Sequence, residues 1–362
     1  MNPSSFQIIT TIGPSSRDKV TLKRLEEEGA TSFRINLSHT DMNELKDYYE
    51  RFKEVGIKPC IDTQGAQVRI CETPSKDKYT FGERIAICHQ NNNNAKDCDL
   101  VLNHIEFFSQ LEQADILKIG FDGLTAEIIS IDIANCKIIA EVRSNGKVAI
   151  NKAVDISGKH IELDSLTQFD RSVLSTSYKE NIDTIFLSFC NCSNDIKSVK
   201  KIINNAYPNS KSKPKLIAKI ETQLGVYNLD EIANFCDGIL VDRGDLSREI
   251  RISKIPIIVN SIIETCMKIN KPCFIATNIL DTMIKEPLPS RAEISDIYNL
   301  LEQGVSGIVL AAEVAIGENP VECVQVIKHM SILYYLEKKR LAGAINNKNI
   351  FPELPNHLKS WL

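Results

Sequence analysis

The chain has 362 residues, 43% of them hydrophobic and 25% charged, with a formal net charge of −4. That is a globular composition, and the absence of a Lys/Arg block excludes nucleic acid and anionic membrane surfaces as expected partners. No run approaches the roughly 18 apolar residues of a membrane span, and the start lacks a basic, apolar leader, so a soluble cytoplasmic protein is expected.

In chain order, short apolar runs alternate with amphipathic helical stretches. Ile8–Ile12 precedes a helix pattern over Val20–Glu28, Ser32–Asn36 precedes Met42–Val55, and a third run covers Lys58–Asp62. The next helix pattern, Leu166–Glu180, begins only at residue 166. The intervening stretch carries period-two β patterns, Glu127–Ile133 and Lys137–Val142. Turn signals at Phe121-Asp122-Gly123 and Ser144-Asn145-Gly146 predict hairpins. Asn91–Asn94 reads as an exposed low-complexity loop. The rhythm then resumes: Thr184–Ser188, Ser193–Ala206, Leu216–Ile220, Leu224–Phe235, Gly238–Val241, Pro256–Ile269, Cys273–Ala276, Arg291–Glu302, Gly307–Leu310 and Pro320–Leu336. Gly29, Gly56 and Gly304 stand where helix C-termini need a left-handed residue. Eight strand–helix units predict an α/β fold, a (β/α)8 TIM barrel over 1–70 and 158–340. Residues 71–157 then form an inserted small β-barrel lid domain at the C-terminal face, and 341–362 a C-terminal tail.

The eleven cysteines show no framework spacing. Cys190-Asn191-Cys192 is the tightest pair and lacks two further metal ligands nearby, so the thiols read as buried small hydrophobes in a reducing compartment.

Polar residues at several strand ends are costly inside a barrel unless paired. They are Arg34, Asn36 and Ser38 after the second run, Asp62 and Thr63 after the third, then Lys219 with Glu221, Asp242 through Asp245, and Thr277. Residues two apart on a strand face one side, so Lys219 and Glu221 point together, as do Arg34, Asn36 and Ser38. One face thus gathers cations, carboxylates and hydroxyls, the equipment for a phosphorylated acid held by a metal. The plainer readings are a Lys219–Glu221 salt bridge, Arg34 capping the barrel core, and Asp242 pairing with Arg243 or Arg248. Arg291, Glu293 and Asp296 share one helix and read as structural.

An ordered set of segments resembles the pyruvate kinase family over residues 6 to 330. It comprises Thr11-Ile12-Gly13-Pro14, Arg34 through His39, Asp62-Thr63-Gln64-Gly65 through Arg69, Asp122-Gly123-Leu124 and Ala218 through Val226. Arg243-Gly244-Asp245-Leu246, Ala276 through Met283, Pro289 through Glu293 and Asn319 through Glu322 complete it. The resemblance implies phosphoryl transfer from phosphoenolpyruvate to ADP, giving pyruvate and ATP, with Mg²⁺ (or Mn²⁺) and K⁺. It implies Glu221 and Asp245 as magnesium ligands and Lys219 as the stabiliser of the transferring phosphoryl group. Arg34 and Arg69 match phosphate contacts, while Gly244, Asp245 and Thr277 match the substrate-carboxylate site. Asn36, Ser38, Asp62 and Thr63 match the potassium site, and Asn36, His39 and Lys152 positions near the nucleotide. Homo-oligomerisation is left open.

The chain departs from the family pattern at three places. Few residues follow the last barrel helix, so the usual C-terminal α/β domain and its allosteric control are not expected. After the eighth run, Ala311, Val314 and Ile316 stand where the family has serine, threonine and lysine, while Glu313 is kept. Asp242 replaces a small apolar residue, Gln64 a lysine, and Gln67 a charged residue tied to potassium dependence. Weak turnover of the family reaction is therefore expected. The alternatives are another enolpyruvate or 2-oxo acid substrate, through a metal-dependent lyase, aldolase or transferase, or a non-catalytic binding protein.

Overall fold

The structure, a computed structural model, describes residues 6–72, 74–120, 123–176, 181–208 and 213–342. They fall into two units, one built from the chain up to Thr63 and from Gln168 onward, the other from Gln64–Thr167.

In the first unit, β1 (Gln7–Thr11), β2 (Ser32–Asn36) and β3 (Pro59–Asp62) alternate with α1 (Lys19–Glu27) and α2 (Met42–Val55). Local chemistry sets these bounds. Asp41 and Glu44 form a reciprocal capping box at the start of α2, and Gly56, at φ 79°, closes it in the left-handed conformation.

The second unit holds β4 (Lys78–Tyr79), β5 (Arg84–His89), β6 (Leu100–Leu102), β7 (Ile116–Ile119), β8 (Leu124–Asp132), β9 (Lys137–Ser144), β10 (Gly146–Lys147) and β11 (Val154–Ile156). Six of these strands form a sheet in the order β11-β7-β8-β9-β5-β6, and β10 pairs with β4. They surround their own apolar core, which includes Ile85, Phe107, Leu117, Ile128 and Val142. Val68, Ile70, Ile161 and Leu163 also pack there, so the insertion is wider than the 71–157 expected from the β pattern. The β7–β8 hairpin forms, with Ile119 opposite Leu124, although Phe121 and Asp122 of its turn lie outside the described residues. Ser144-Asn145-Gly146 does not make the expected hairpin, because β9 runs on into β10, which pairs with β4. Gly146 is needed for close approach: a Cβ there would lie 2.5 Å from the Leu124 Cβ.

The first unit resumes with α3 (Gln168–Thr176), β12 (Thr184–Leu187), α4 (Ser193–Ala206), β13 (Lys215–Ile220), α5 (Gln223–Tyr227) and α6 (Leu229–Phe235). There follow β14 (Gly238–Asp242), α7 (Arg243–Glu249), α8 (Ile255–Lys268), β15 (Cys273–Ala276), α9 (Arg291–Gln303), β16 (Gly307–Leu310), α10 (Ala312–Ala315) and α11 (Pro320–Leu341). The helix expected over Leu224–Phe235 is two helices meeting at Asn228, whose side chain donates to the Asn191 carbonyl instead of facing solvent. Residues 177–180 of the expected Leu166–Glu180 helix, and 343–362 of the expected tail, lie outside the described residues.

The eight parallel strands close into a barrel in the order β1-β16-β15-β14-β13-β12-β3-β2. β3 pairs directly with β12, so the insertion leaves the barrel order unbroken. Ile9, Cys60, Phe186, Ile217, Leu240, Phe274, Ala276 and Val309 fill the barrel interior. Each fully buried large aliphatic or aromatic side chain contributes about 1.5–3 kcal/mol. This apolar floor carries the polar strand ends. Among the described residues no helix is long and apolar enough to cross a membrane. All eleven cysteines are free, and most are buried.

Candidate active site

The strand ends of the barrel converge on Lys219. This side chain is 5% exposed, and its Nζ lies 2.9 Å from Glu221 Oε1, 3.1 Å from Asp62 Oδ1 and 3.9 Å from Asp242 Oδ2. It also donates to Ser188 Oγ at 3.1 Å. Arg34, equally buried, lies beside it. Its Nη1 is 2.9 Å from Asp62 Oδ2, its Nε and Nη2 donate to Thr11 Oγ1, and its guanidinium stacks over Phe186 at 5.6 Å. Asp62 thus bridges the two cations. This network explains how so many charges survive in a barrel interior: each is paired, and each lost partner would strand the other.

Asp242 decides between two sequence readings. It does not pair with Arg243 or Arg248. Its Oδ1 accepts from the Thr277 hydroxyl at 3.0 Å, and it caps α7 by accepting from the Asp245 N–H. Arg243 turns away to Asp296 at 2.7 Å and to the Thr277 and Asn278 carbonyls. Asp296 and Glu293 are structural, as expected: Glu293 completes the capping box of α9 and accepts from Thr282 N. Thr277 sits at φ 66°, a costly backbone for a β-branched residue, and its hydroxyl oxygen accepts from Gly244 N at 2.8 Å. The Gly244 N–H expected to meet a substrate carboxylate is engaged there.

Glu221, Asp242 and Asp245 each offer one carboxylate oxygen, all within 4.8 Å of one another. They form the one such group of potential metal-binding side chains among the described residues. Hard carboxylate oxygens at this spacing fit Mg²⁺ or Mn²⁺. Two further observations support the fit. Glu221 Oε2 accepts from Phe189 N at 2.6 Å, but its buried Oε1 has no hydrogen bond, only the charge contact with Lys219. And the carboxylates Asp62, Glu221, Asp242 and Asp245 outnumber the cations Arg34, Lys219 and Arg248, the last 3.9 Å from Asp245. Burial, with the neighbouring Asp245, Asp242 and Asp62, pushes the Glu221 carboxyl up to about 8 against the pull of Lys219. Burial opposes the charge on Lys219, but Asp62, Glu221 and Asp242 more than offset it and hold its pKa above the ordinary lysine value.

Asn36, Ser38, Asp62 and Thr63 stand together at the ends of β2 and β3, with Asn36 opposite Asp62. Asn36 Oδ1 accepts from Ser38 N, Asp62 holds two cations, and the Thr63 carbonyl accepts from Ser188 Oγ. His39 is exposed in the short 3-10 turn after β2. Arg69 and Lys152 belong to the other unit, where Arg69 bridges to Ala153 and its Nη1 donates to the Asn151 carbonyl. Sequence reasoning missed Thr11, Ser188 and Phe189 as site residues. The signal was present for one of them: Ser188 is a polar residue ending an apolar run, like Asp62.

The profile of the family described as pyruvate kinase, barrel domain, matches residues 4–324. The chain belongs to the pyruvate kinase family. Among relatives, the pyruvate kinase of Chlamydia muridarum is 30% identical over 355 residues, 95% of this chain and 72% of that one. The Clostridium acetobutylicum pyruvate kinase is 32% identical, over 88% of this chain and 68% of its own length. That of Sporosarcina psychrophila is 31% identical, over 90% of this chain but only 56% of its own. A solved pyruvate kinase from Cryptosporidium parvum superposes with a TM-score of 0.79 at 25% identity, over 95% of this chain and 73% of that one.

Three departures from the pyruvate kinase pattern, Ala311, Val314 and Ile316, lie at the start, inside and at the end of α10. Ala311 follows β16 and its N–H donates to Glu313 Oε2 at 2.8 Å, while Glu313 Oε1 accepts from Leu280 N. The retained Glu313 is a buried tie between two loops, its carboxyl pushed up by that burial. Val314 is fully buried, whereas Ile316 is 61% exposed.

Proposed function

We propose that the chain transfers the phosphoryl group of phosphoenolpyruvate to a nucleoside diphosphate, releasing pyruvate and a nucleoside triphosphate. The observation that carries this reading is the Lys219 cluster: one buried ammonium, one buried guanidinium and three converging carboxylates at the C-terminal mouth of a (β/α)8 barrel, where such barrels do their chemistry.

Glu221 and Asp245 would hold a divalent cation, which supplies charge neutralisation for the phosphoryl oxygens when bound. Arg34, fixed by Thr11 and Asp62, presents a guanidinium of defined orientation to a phosphate. Lys219 keeps its proton, so it opposes the negative charge that grows on the enolate oxygen as the phosphorus–oxygen bond breaks. The phosphoryl group moves to the terminal oxygen of the diphosphate, and the enolate takes a proton at carbon to become pyruvate. In this reading the Thr277 hydroxyl, held by Asp242, serves that proton delivery. Arg69, His39 and Lys152 serve the phosphate and nucleotide in this reading, by resemblance. No step is assigned to potassium.

A pyruvate-coupled assay with Mg²⁺ and a panel of nucleoside diphosphates tests the reading. Turnover slower than the ordinary enzyme range of 1–10³ per second, roughly, is expected from the loss of hydroxyls at Ala311 and Val314. Folded protein that makes no pyruvate with any diphosphate would end the proposal.

A further inference from the structure

We propose that Asp242 is a third carboxylate ligand of the divalent-cation site, an inference that rests on the phosphotransfer reading above. The topology brings the three acids together. Glu221 follows β13 and Asp242 ends β14, strands paired with Ile220 opposite Val241, so the two acids leave neighbouring strands side by side. Asp245 lies one helical turn further on, in α7. The Asp242 carboxylate is directional. Oδ1 is held by the Thr277 hydroxyl at 3.0 Å and by Asp245 N at 3.5 Å, which leaves Oδ2 toward Lys219, 3.9 Å away. Glu221 is 1% exposed, one of its carboxylate oxygens lies within 4.8 Å of those of Asp242 and Asp245, and its Oε1 has no hydrogen bond, only the charge contact with Lys219 at 2.9 Å.

A buried carboxylate beside two others raises the energy of the site unless a cation joins them. Lys219 is shared among Asp62, Glu221 and Asp242, at 3.1, 2.9 and 3.9 Å, and of these only Asp62 has a second cation among the described residues, Arg34 at 2.9 Å. Carboxylate count is a principal control on affinity at oxygen-ligand sites. A third acid therefore makes this chain take up the cation strongly before any substrate oxygen arrives.

Asp242 is also the N-cap of α7, and the test must separate that role from ligation. Asparagine caps a helix about as well as aspartate but lacks the charge. Mn²⁺ alone is titrated calorimetrically into the full chain and into Asp242→Asn, Asp242→Ala, Glu221→Gln and Asp245→Asn, with thermal melts to confirm folding. Asp242→Asn is expected to weaken Mn²⁺ by about tenfold or more, with a folded state like the parent's. Should Asp242→Asn bind within twofold of the parent while Glu221→Gln and Asp245→Asn lose the ion, Asp242 is a cap and the inference fails with the phosphotransfer reading intact. Should none of the variants lose affinity, the cation lies elsewhere and the inference falls together with the metal assignment beneath it.

Discussion

At the scale of single residues, Lys219 is the pivot. Its removal strands Glu221 and Asp62 as buried carboxylates with one cation fewer. Breaking a buried ion pair by deleting one partner costs about 3–5 kcal/mol. Loss of a preorganised charge at a developing anion slows the chemical step by about 10²–10³. Lys219→Met should therefore show both a lowered denaturant midpoint and a kcat reduced on that scale; a variant with parental kcat would remove Lys219 from the reaction.

The titration of Glu221 gives a second outcome at this scale. Folding raises its pKa from 4.5 to about 8, so the folded state holds the proton more tightly than the unfolded chain. Metal-free protein should lose stability as pH rises across that interval. Mn²⁺ affinity should rise over the same interval, since the cation must displace the proton. Melting curves in chelator and Mn²⁺ titrations at several pH values read this, and Glu221→Gln should flatten both profiles. A parent whose metal-free melting point climbs from pH 5 to 8 would contradict the assignment.

At the scale of elements, the barrel closes where β1 meets β16, with Gln7 opposite Gly307. A Cβ on Gly307 would lie 2.3 Å from the Gln7 carbonyl oxygen, a backbone atom that cannot swing aside. Gly307→Ala should cost about 1–3 kcal/mol or more by overpacking. Gly56→Ala meets nothing within 4 Å and pays only for a positive φ of 79°, roughly 1–2 kcal/mol. Guanidinium unfolding of the two variants compares them directly, and equal midpoints would show that the seam yields.

The barrel elements were legible because a buried parallel strand is a near-continuous apolar run, and Cys273–Ala276 and Gly307–Leu310 match it end to end. The Asn228 break and the β10 partner were not legible, since both depend on tertiary contacts: the Asn191 carbonyl in one case and the approach of Leu124 in the other. The site was half legible. Period two places Lys219 with Glu221, but nothing local says that Asp242 turns inward to Thr277 instead of outward to Arg243. The engagement of Asp62 by two cations follows only from barrel closure.

At the scale of the whole molecule, residues 64–167 have their own sheet and core, while the cation cluster lies wholly in the barrel unit. A unit with its own hydrophobic core can in principle fold alone. Residues 64–167 expressed by themselves should give a cooperative melt and dispersed amide signals, and a non-cooperative melt would show that the core depends on the barrel. The central claim is that the Lys219 cluster drives phosphoryl transfer between phosphoenolpyruvate and a nucleoside diphosphate. ³¹P NMR of the purified chain with phosphoenolpyruvate, ADP and Mg²⁺ follows both ends of that transfer at once. The account predicts that the phosphoenolpyruvate signal falls as the γ-phosphate signal of ATP rises in equal measure, and that Lys219→Met suppresses both. Phosphoenolpyruvate that persists unchanged, or that yields inorganic phosphate with no ATP, would contradict it.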